Sequence, residues 1–302
     1  MKKDLVSICI PNYNNADYIE EAIQSAINQT YENIEVIVVD NCSTDGSWEL
    51  IKAFYSHPKV FVTQNQENLG MVGNFRRALE DSTGGLVTYL CSDDCLSKDA
   101  IAENVAALLK YPEASFVFGN VKYTGKRNGQ SNHNFSELIT PGEWTKKSLE
   151  NSKNLAFLTG TIFRRSALEI VNGPIIADLT FFDWFLWLRL GLQSVAFNTK
   201  IVGLHRYHSV NQTEVLTPGV TNNYLHLAKV LKLFKQLYPS QGGIANAEEK
   251  LSFRFARLVA EKDSLKSAIK FAKEYCNNFL FSAAKLILLH VYTQFLIKIN
   301  KK

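Results

Sequence analysis

Short runs of apolar and β-branched residues alternate with segments whose apolar residues recur at helical spacing, and this alternation predicts a parallel α/β sheet. Residues 5–10 read as a strand buried on both faces and ended by Pro11. The polar cluster Asn14-Asn15-Ala16-Asp17 then leads into Ile19, Ile23, Ala26 and Ile27, a helix face. A second strand at 34–39, a polar loop at 40–47 and a helix over 48–55 repeat the unit. Strand 60–63, turn Asn68-Leu69-Gly70, helix 73–79 and strand 86–90 follow, closing on Ser92-Asp93-Asp94. After a helix near 99–109 the pattern loosens through 119–134, and helical character returns at 181–190 before a strand-like piece at 204–208. Thr217-Pro218-Gly219 reads as a boundary, which gives a 1–216 α/β domain and a helical region at 217–302.

Loops and helix N-termini converge beyond the carboxyl ends of parallel strands, so the loops at 11–15, 40–47 and 91–95 are expected to share one cleft. The composition fits an ordinary globular chain: 302 residues, 46% hydrophobic, with a formal net charge of +4. The basic residues are scattered, which argues against nucleic acid as a partner. The five cysteines are an odd number with no Cys-x-x-Cys pair and read as reduced thiols. Met1-Lys2-Lys3-Asp4 runs into the first strand without an apolar leader, so a cytoplasmic chain is expected. The apolar run at 286–297 is shorter than the roughly 20 residues that a spanning helix needs.

Asp93 and Asp94 stand at the end of a mostly apolar strand, where carboxylates are costly unless a cation or a donor compensates them. Two readings stay open: a hard divalent ion that also holds phosphate oxygens, or the N-cap of the following helix.

The segments Val6-Ser7-Ile8-Cys9-Ile10-Pro11-Asn12-Tyr13-Asn14, Val38-Val39-Asp40-Asn41-Cys42-Ser43-Thr44-Asp45-Gly46-Ser47 and Tyr89-Leu90-Cys91-Ser92-Asp93-Asp94 resemble family 2 glycosyltransferases of the GT-A fold. Glu67-Asn68-Leu69-Gly70 with Asn74, Thr159-Gly160-Thr161, Phe182-Asp183-Trp184 and His205-Arg206-Tyr207-His208 continue the resemblance in the same order over residues 5–213. It implies an α/β GT-A sheet and inverting transfer of a sugar from a nucleoside-diphosphate donor to an acceptor hydroxyl, in bacterial surface polysaccharide or glycolipid synthesis. Pro11, Asn12, Tyr13 and Asp40 are the implied nucleotide-binding residues, with Asp45, Asn68, Asn74 and Ser92 beside them. Asp40 and Asp45 keep a second reading as turn or cap residues. The resemblance implies Asp93, Asp94 and His208 as ligands of Mn²⁺ or Mg²⁺, and Arg206 with Asp93 near the donor diphosphate. Asp183 matches the catalytic base. Thr159, Gly160 and Trp184 are the acceptor-side candidates, with Trp184 either stacked on a sugar or packed in the core.

Three departures stand out: Cys91, Asn41 and Phe182 each replace an acidic residue common in the family. A sugar-nucleotide-binding module without catalysis, or a sugar-nucleotide pyrophosphorylase, is therefore the competing reading. The resemblance implies UDP as the first candidate nucleotide, with dTDP or GDP as alternatives, and a glycan or lipid-linked acceptor. The helical tail is expected to serve packing, homodimerisation or peripheral contact with the inner face of the cell membrane.

Overall fold

The computed structural model describes residues 2–171, 179–208, 220–262, 264–276, 282, 286 and 287. The expected boundary at 217–219 lies outside these residues, as does the apolar tail beyond residue 287.

Contacts divide the chain into two compact units, Met1–Thr145 with Asn154–Asn211, and Lys146–Lys153 with Gln212–Lys302. The first unit holds a ten-stranded sheet. Its strands are β1 (Lys2–Asn12), β2 (Ile34–Asp40), β3 (Val60–Gln64), β4 (Gly84–Tyr89), β5 (Cys95–Leu96), β6 (Ala114–Gly125), β7 (Gly129–Gln130), β8 (Leu138–Ile139), β9 (Ile162–Arg164) and β10 (Ser194–Tyr207). The path runs β3-β2-β1-β4-β9-β6-β10-β5, with β7 on β6 and β8 on β10. Strands β1 to β4 pair in parallel, as do β6 and β10, while β9 runs antiparallel between β4 and β6. The sheet is therefore mixed and mostly parallel, two parallel blocks joined through the antiparallel β9.

Among the described residues the strands are connected by α1 (Ile19–Ile27), α2 (Ser47–Lys52), α3 (Gly70–Glu80), α4 (Ala100–Lys110), α5 (Glu143–Asn151), α6 (Arg165–Ile170) and α7 (Phe182–Leu190). Alternate residues of β1 serve two faces. Val6, Ile8 and Ile10 join a core with Ile19 and Ile23 of α1 and Ile101 and Val105 of α4. On the other face Cys9 Sγ donates to Ala78 O in α3 at 3.3 Å. The Gly and Asn-rich stretch at 119–134 holds the second half of β6 and the β6–β7 hairpin, so a segment without clear periodicity is sheet after all.

The second unit is helical, with α8 (Val220–Leu237), α9 (Ile244–Lys262) and α10 (Leu265–Tyr275). They meet at Tyr224, whose ring lies 5.8 Å from Phe255, 5.1 Å from Phe271 and 5.0 Å from Tyr275. Residues Lys146–Lys153, expected within the α/β region, group here because Ser152 Oγ donates to Ala247 O at 2.9 Å and Lys250 Nζ to Glu150 O at 2.8 Å. Among the described residues no helix is long and apolar enough to cross a membrane.

Candidate active site

The loops that follow β1 and β2 are bound to each other by side chains. Asp40 is fully buried, and its carboxylate accepts from Asn12 Nδ2 (2.8 Å), Ser43 Oγ (2.6 Å), Ser43 N (3.0 Å) and Gln64 Nε2 (3.0 Å). Four donors fill the lone-pair sites of a carboxylate. These bonds tie the ends of β1, β2 and β3 together at the place where the resemblance puts the nucleotide base. Asp45 accepts from Ala16 N at 2.8 Å and from Ser47 N at 2.9 Å and Ser47 Oγ at 2.5 Å. Burial raises its pKa, but the bonds from Ser47 and Ala16 outweigh that and hold it below the usual carboxylate range. Asn74, also buried, donates to Asn12 O and Val39 O, each at 3.1 Å, and Asn68 Oδ1 accepts from Asn41 Nδ2 and Gly70 N, each at 2.8 Å. Ser92 is 3% exposed and accepts from Asn15 Nδ2 at 2.8 Å. Asp45, Asn68, Asn74 and Ser92 thus shape the cleft wall. Pro11 is buried in β1 opposite Val39. Tyr13 is half-buried at the mouth of the same loop, and Asn12 Oδ1 is buried with no hydrogen-bond partner among the described residues.

Across the cleft, the end of β4 meets the end of β10. Asp94 is 1% exposed; it accepts from Thr159 Oγ1, faces His205 Nδ1 at 3.0 Å and accepts from Arg206 N at 2.9 Å. With three partners it anchors the β10 end, and a carboxylate oxygen still lies within 4.8 Å of ligand atoms of Cys91 and Asp93. Asp93 Oδ2 lies 2.9 Å from His208 Nε2, and both side chains keep some exposure, 15% and 12%. Arg206 donates from Nε to Asp93 O (2.8 Å) and from Nη2 to Glu21 Oε2 (2.7 Å), and its guanidinium lies 5.0 Å from the centre of the Tyr18 ring. Tyr18 also packs on His208 at 4.9 Å. Cys91 Sγ and carboxylate oxygens of Asp93 and Asp94 all lie within 4.8 Å of one another. Burial, followed by the charges of Asp94, Asp93 and Asp183, keeps the Cys91 thiol protonated.

Asp183 opens α7 and accepts from Asn154 Nδ2 at 2.7 Å. Burial pushes its carboxyl up to about 6, against the hydrogen bonds from Trp184 N and Asn154 and the nearby His205. The Phe182 ring turns away and packs on Phe75 at 4.8 Å. For His205, burial disfavours the charged form, but the Asp94 bond and the charges of Asp94 and Asp93 prevail and raise its pKa.

Trp184 is fully buried, so neither ring face is open to a sugar. Gly160, at φ +79°, is required by packing: a Cβ there would fall 2.8 Å from Val202 Cγ2 and 3.1 Å from Val202 O. Thr159 is spent on Asp94. Sequence reasoning missed His205, Asn154 and Glu21 as partners of the site. Only His205 carried a signal, through its place beside Arg206 and His208.

The glycosyl transferase family 2 description matches residues 7–171, more than half of the chain. The chain belongs to glycosyl transferase family 2. Among relatives of this family, it is 34% identical over 123 residues to the putative teichuronic acid biosynthesis glycosyltransferase TuaG of Bacillus subtilis (strain 168), covering 40% of this chain and 48% of that protein. It therefore spans about half the length of that relative. Identity to the UDP-Glc:alpha-D-GlcNAc-diphosphoundecaprenol beta-1,3-glucosyltransferase WfaP of Escherichia coli is 28% over 208 residues, covering 68% of this chain and 78% of that one. The crystal structure of S. aureus TarS 1-349 in complex with UDP-GlcNAc superposes with a TM-score of 0.70 at 18% identity, over 94% of this chain and 82% of that one. That likeness gives the family 2 chain its GT-A fold.

Proposed function

We propose that this chain transfers a sugar, with inversion, from a nucleoside-diphosphate donor to an acceptor hydroxyl. The observation that carries the reading is the pairing in one cleft of Asp183, whose carboxyl titrates near 6, with the Asp93–His208 pair. Asp183 takes the proton from the acceptor O–H as that oxygen attacks the anomeric carbon, while the bond from that carbon to the diphosphate breaks. Asn154 holds the carboxylate in place, and His205 favours its ionised form.

The donor set fits a divalent cation of the Mn²⁺ or Mg²⁺ kind. Asp93 and His208 supply a carboxylate and an imidazole with exposed atoms, and Cys91 stands beside them. Such an ion, when bound, neutralises negative charge on the departing diphosphate. Arg206, fixed by Glu21, Asp93 O and Tyr18, brings a second cation to the same place. UDP is the first candidate nucleotide, because UDP-sugars are named for both WfaP and the TarS complex. A lipid-diphosphate-linked GlcNAc is the first acceptor to try, from the name of WfaP. The C-terminal helices, with their apolar and lysine-ended tail, support a place at the inner face of the membrane, where such an acceptor would reside.

Asp183→Asn tests the reading. Turnover is expected to fall by roughly 10³, within the range for loss of a general base, while donor affinity stays within a few-fold. In the wild type, activity should rise with pH as the raised carboxyl ionises, through about 6. Turnover retained in Asp183→Asn would move the base elsewhere.

A further inference from the structure

The hairpin between β6 and β7 carries Gly125-Lys126-Arg127-Asn128-Gly129. Its seat on β10 is fixed. Gly125 has φ +88°, and a Cβ there would fall 2.2 Å from Tyr207 O, so a side chain has no room. Lys126 N donates to the same carbonyl at 2.9 Å. The Arg127 guanidinium lies over the Tyr123 ring at 4.5 Å and the Tyr207 ring at 5.5 Å, and Nη1 donates to Tyr207 Oη at 3.4 Å. Arg127 is exposed and pairs with no carboxylate among the described residues. A cation laid on two aromatic faces is ordered before any ligand arrives, which lowers the entropy cost of binding an anion.

This arginine stands at the end of an aromatic path into the active site. Tyr207 meets His205 edge-on at 4.8 Å, His205 meets Phe157 at 5.0 Å, and His205 Nδ1 contacts Asp94. Phe157 and Tyr207 are only partly buried. The path lies on β6, β10 and the segment before β9, whereas the nucleotide-side loops follow β1 and β2, on the other block of the sheet. The donor diphosphate belongs at Asp93, between the two. An anion held by Arg127 is therefore on the acceptor.

We propose that Arg127 binds a phosphate ester on the acceptor sugar, and that Phe157 and Tyr207 offer their partly exposed faces to that sugar. A guanidinium matches phosphate oxygens in a bidentate way that a neutral glycoside cannot use. The proposal deepens the transferase reading and rests on it. The phosphate can belong to a lipid diphosphate or to a free sugar phosphate, which share this chemistry.

The test is calorimetric binding to the full chain with UDP and Mn²⁺ present. The probes are phenoxyundecyl diphosphate-α-GlcNAc, GlcNAc-α-1-phosphate and the uncharged phenoxyundecyl GlcNAc glycoside. Wild type should bind at least one phosphorylated probe about tenfold more tightly than the uncharged one, a margin within reach of one charge-assisted contact. Tight binding of both assigns the subsite to the phosphate alone; binding of the lipid diphosphate only assigns it to the lipid-linked source. Arg127→Ala should remove the preference, and Arg127→Lys should keep part of it. Because Arg127 is exposed, an unchanged melting temperature is the expected check on folding. Equal binding of charged and uncharged probes by wild type, no binding of either phosphorylated probe, or a preference that survives Arg127→Ala overturns the proposal. So does a tenfold loss of UDP affinity in Arg127→Ala, which would put the arginine on the donor. Failure of UDP, dTDP and GDP alike to bind wild type instead removes the transferase reading, and is read before any acceptor is added.

Discussion

The two walls of the cleft use polar residues in opposite ways. On the β1–β2 wall, Asp40, Asp45, Asn74 and Asn41 are taken up by one another and by backbone groups. On the β4–β10 wall, Asp93 and His208 meet each other and keep exposed surface, and at the start of α7 Asp183 is held by Asn154 and Trp184 N with its pKa lifted. Asp40 and Asp45 on the first wall hold a shape, as Asp94 does on the second, whereas Asp93, His208 and Asp183 keep a lone pair or a proton to exchange. Substitutions on the two walls should therefore fail differently, the first in stability and the second in ligand response.

The largest contrast is expected at Asp93. UDP at about 100 times its dissociation constant should stabilise the wild type by about 2.7 kcal/mol in the presence of Mn²⁺. Asp93→Ala should lose the part of that shift that depends on Mn²⁺. Thermal denaturation with UDP, dTDP and GDP, each with and without the ion, measures it and identifies the donor class. An undiminished Mn²⁺-dependent shift in Asp93→Ala would end the distinction between the walls.

Asp40→Ala should behave in the opposite sense. It removes the acceptor of the buried Asn12 amide and of the partly buried Ser43, at a cost of about 1–3 kcal/mol in stability. Where the variant stays folded, its Mn²⁺-dependent response to UDP should survive in direction. Denaturant unfolding measures the first quantity. A stable variant that has lost nucleotide binding would return Asp40 to the base pocket.

The parallel β1–β4 block was legible because its central strands are buried on both faces and read as continuous apolar runs, broken by polar loops. Asp93 and His208 were legible through a local pattern of family resemblance. Their partners were not. His205 reaches Asp94 across 111 residues and Arg206 reaches Glu21 across 185, pairings set by strand register and helix placement rather than by any local periodicity. The β6–β7 hairpin was hidden for a related reason: its residues are polar and exposed at the tip, so only pairing with β6 defines it as sheet.

The smallest expected effect concerns Trp184, and it sharpens the comparison from the acceptor side. An aromatic residue next to Asp183, the proposed base, invites a stacking role, because an indole offers a broad apolar face to a pyranose. Here the ring is fully buried in α7, so that face is spent on packing. Trp184→Phe keeps an aromatic ring but removes volume, which should cost about 1–2 kcal/mol of stability through imperfect packing. The acceptor KM should stay within about twofold, because no sugar contact is lost. Steady-state kinetics at saturating donor separates the two quantities. A tenfold rise in acceptor KM with unchanged stability would mean that the helix opens toward the acceptor, and Trp184 would then join Phe157 and Tyr207 in holding the sugar.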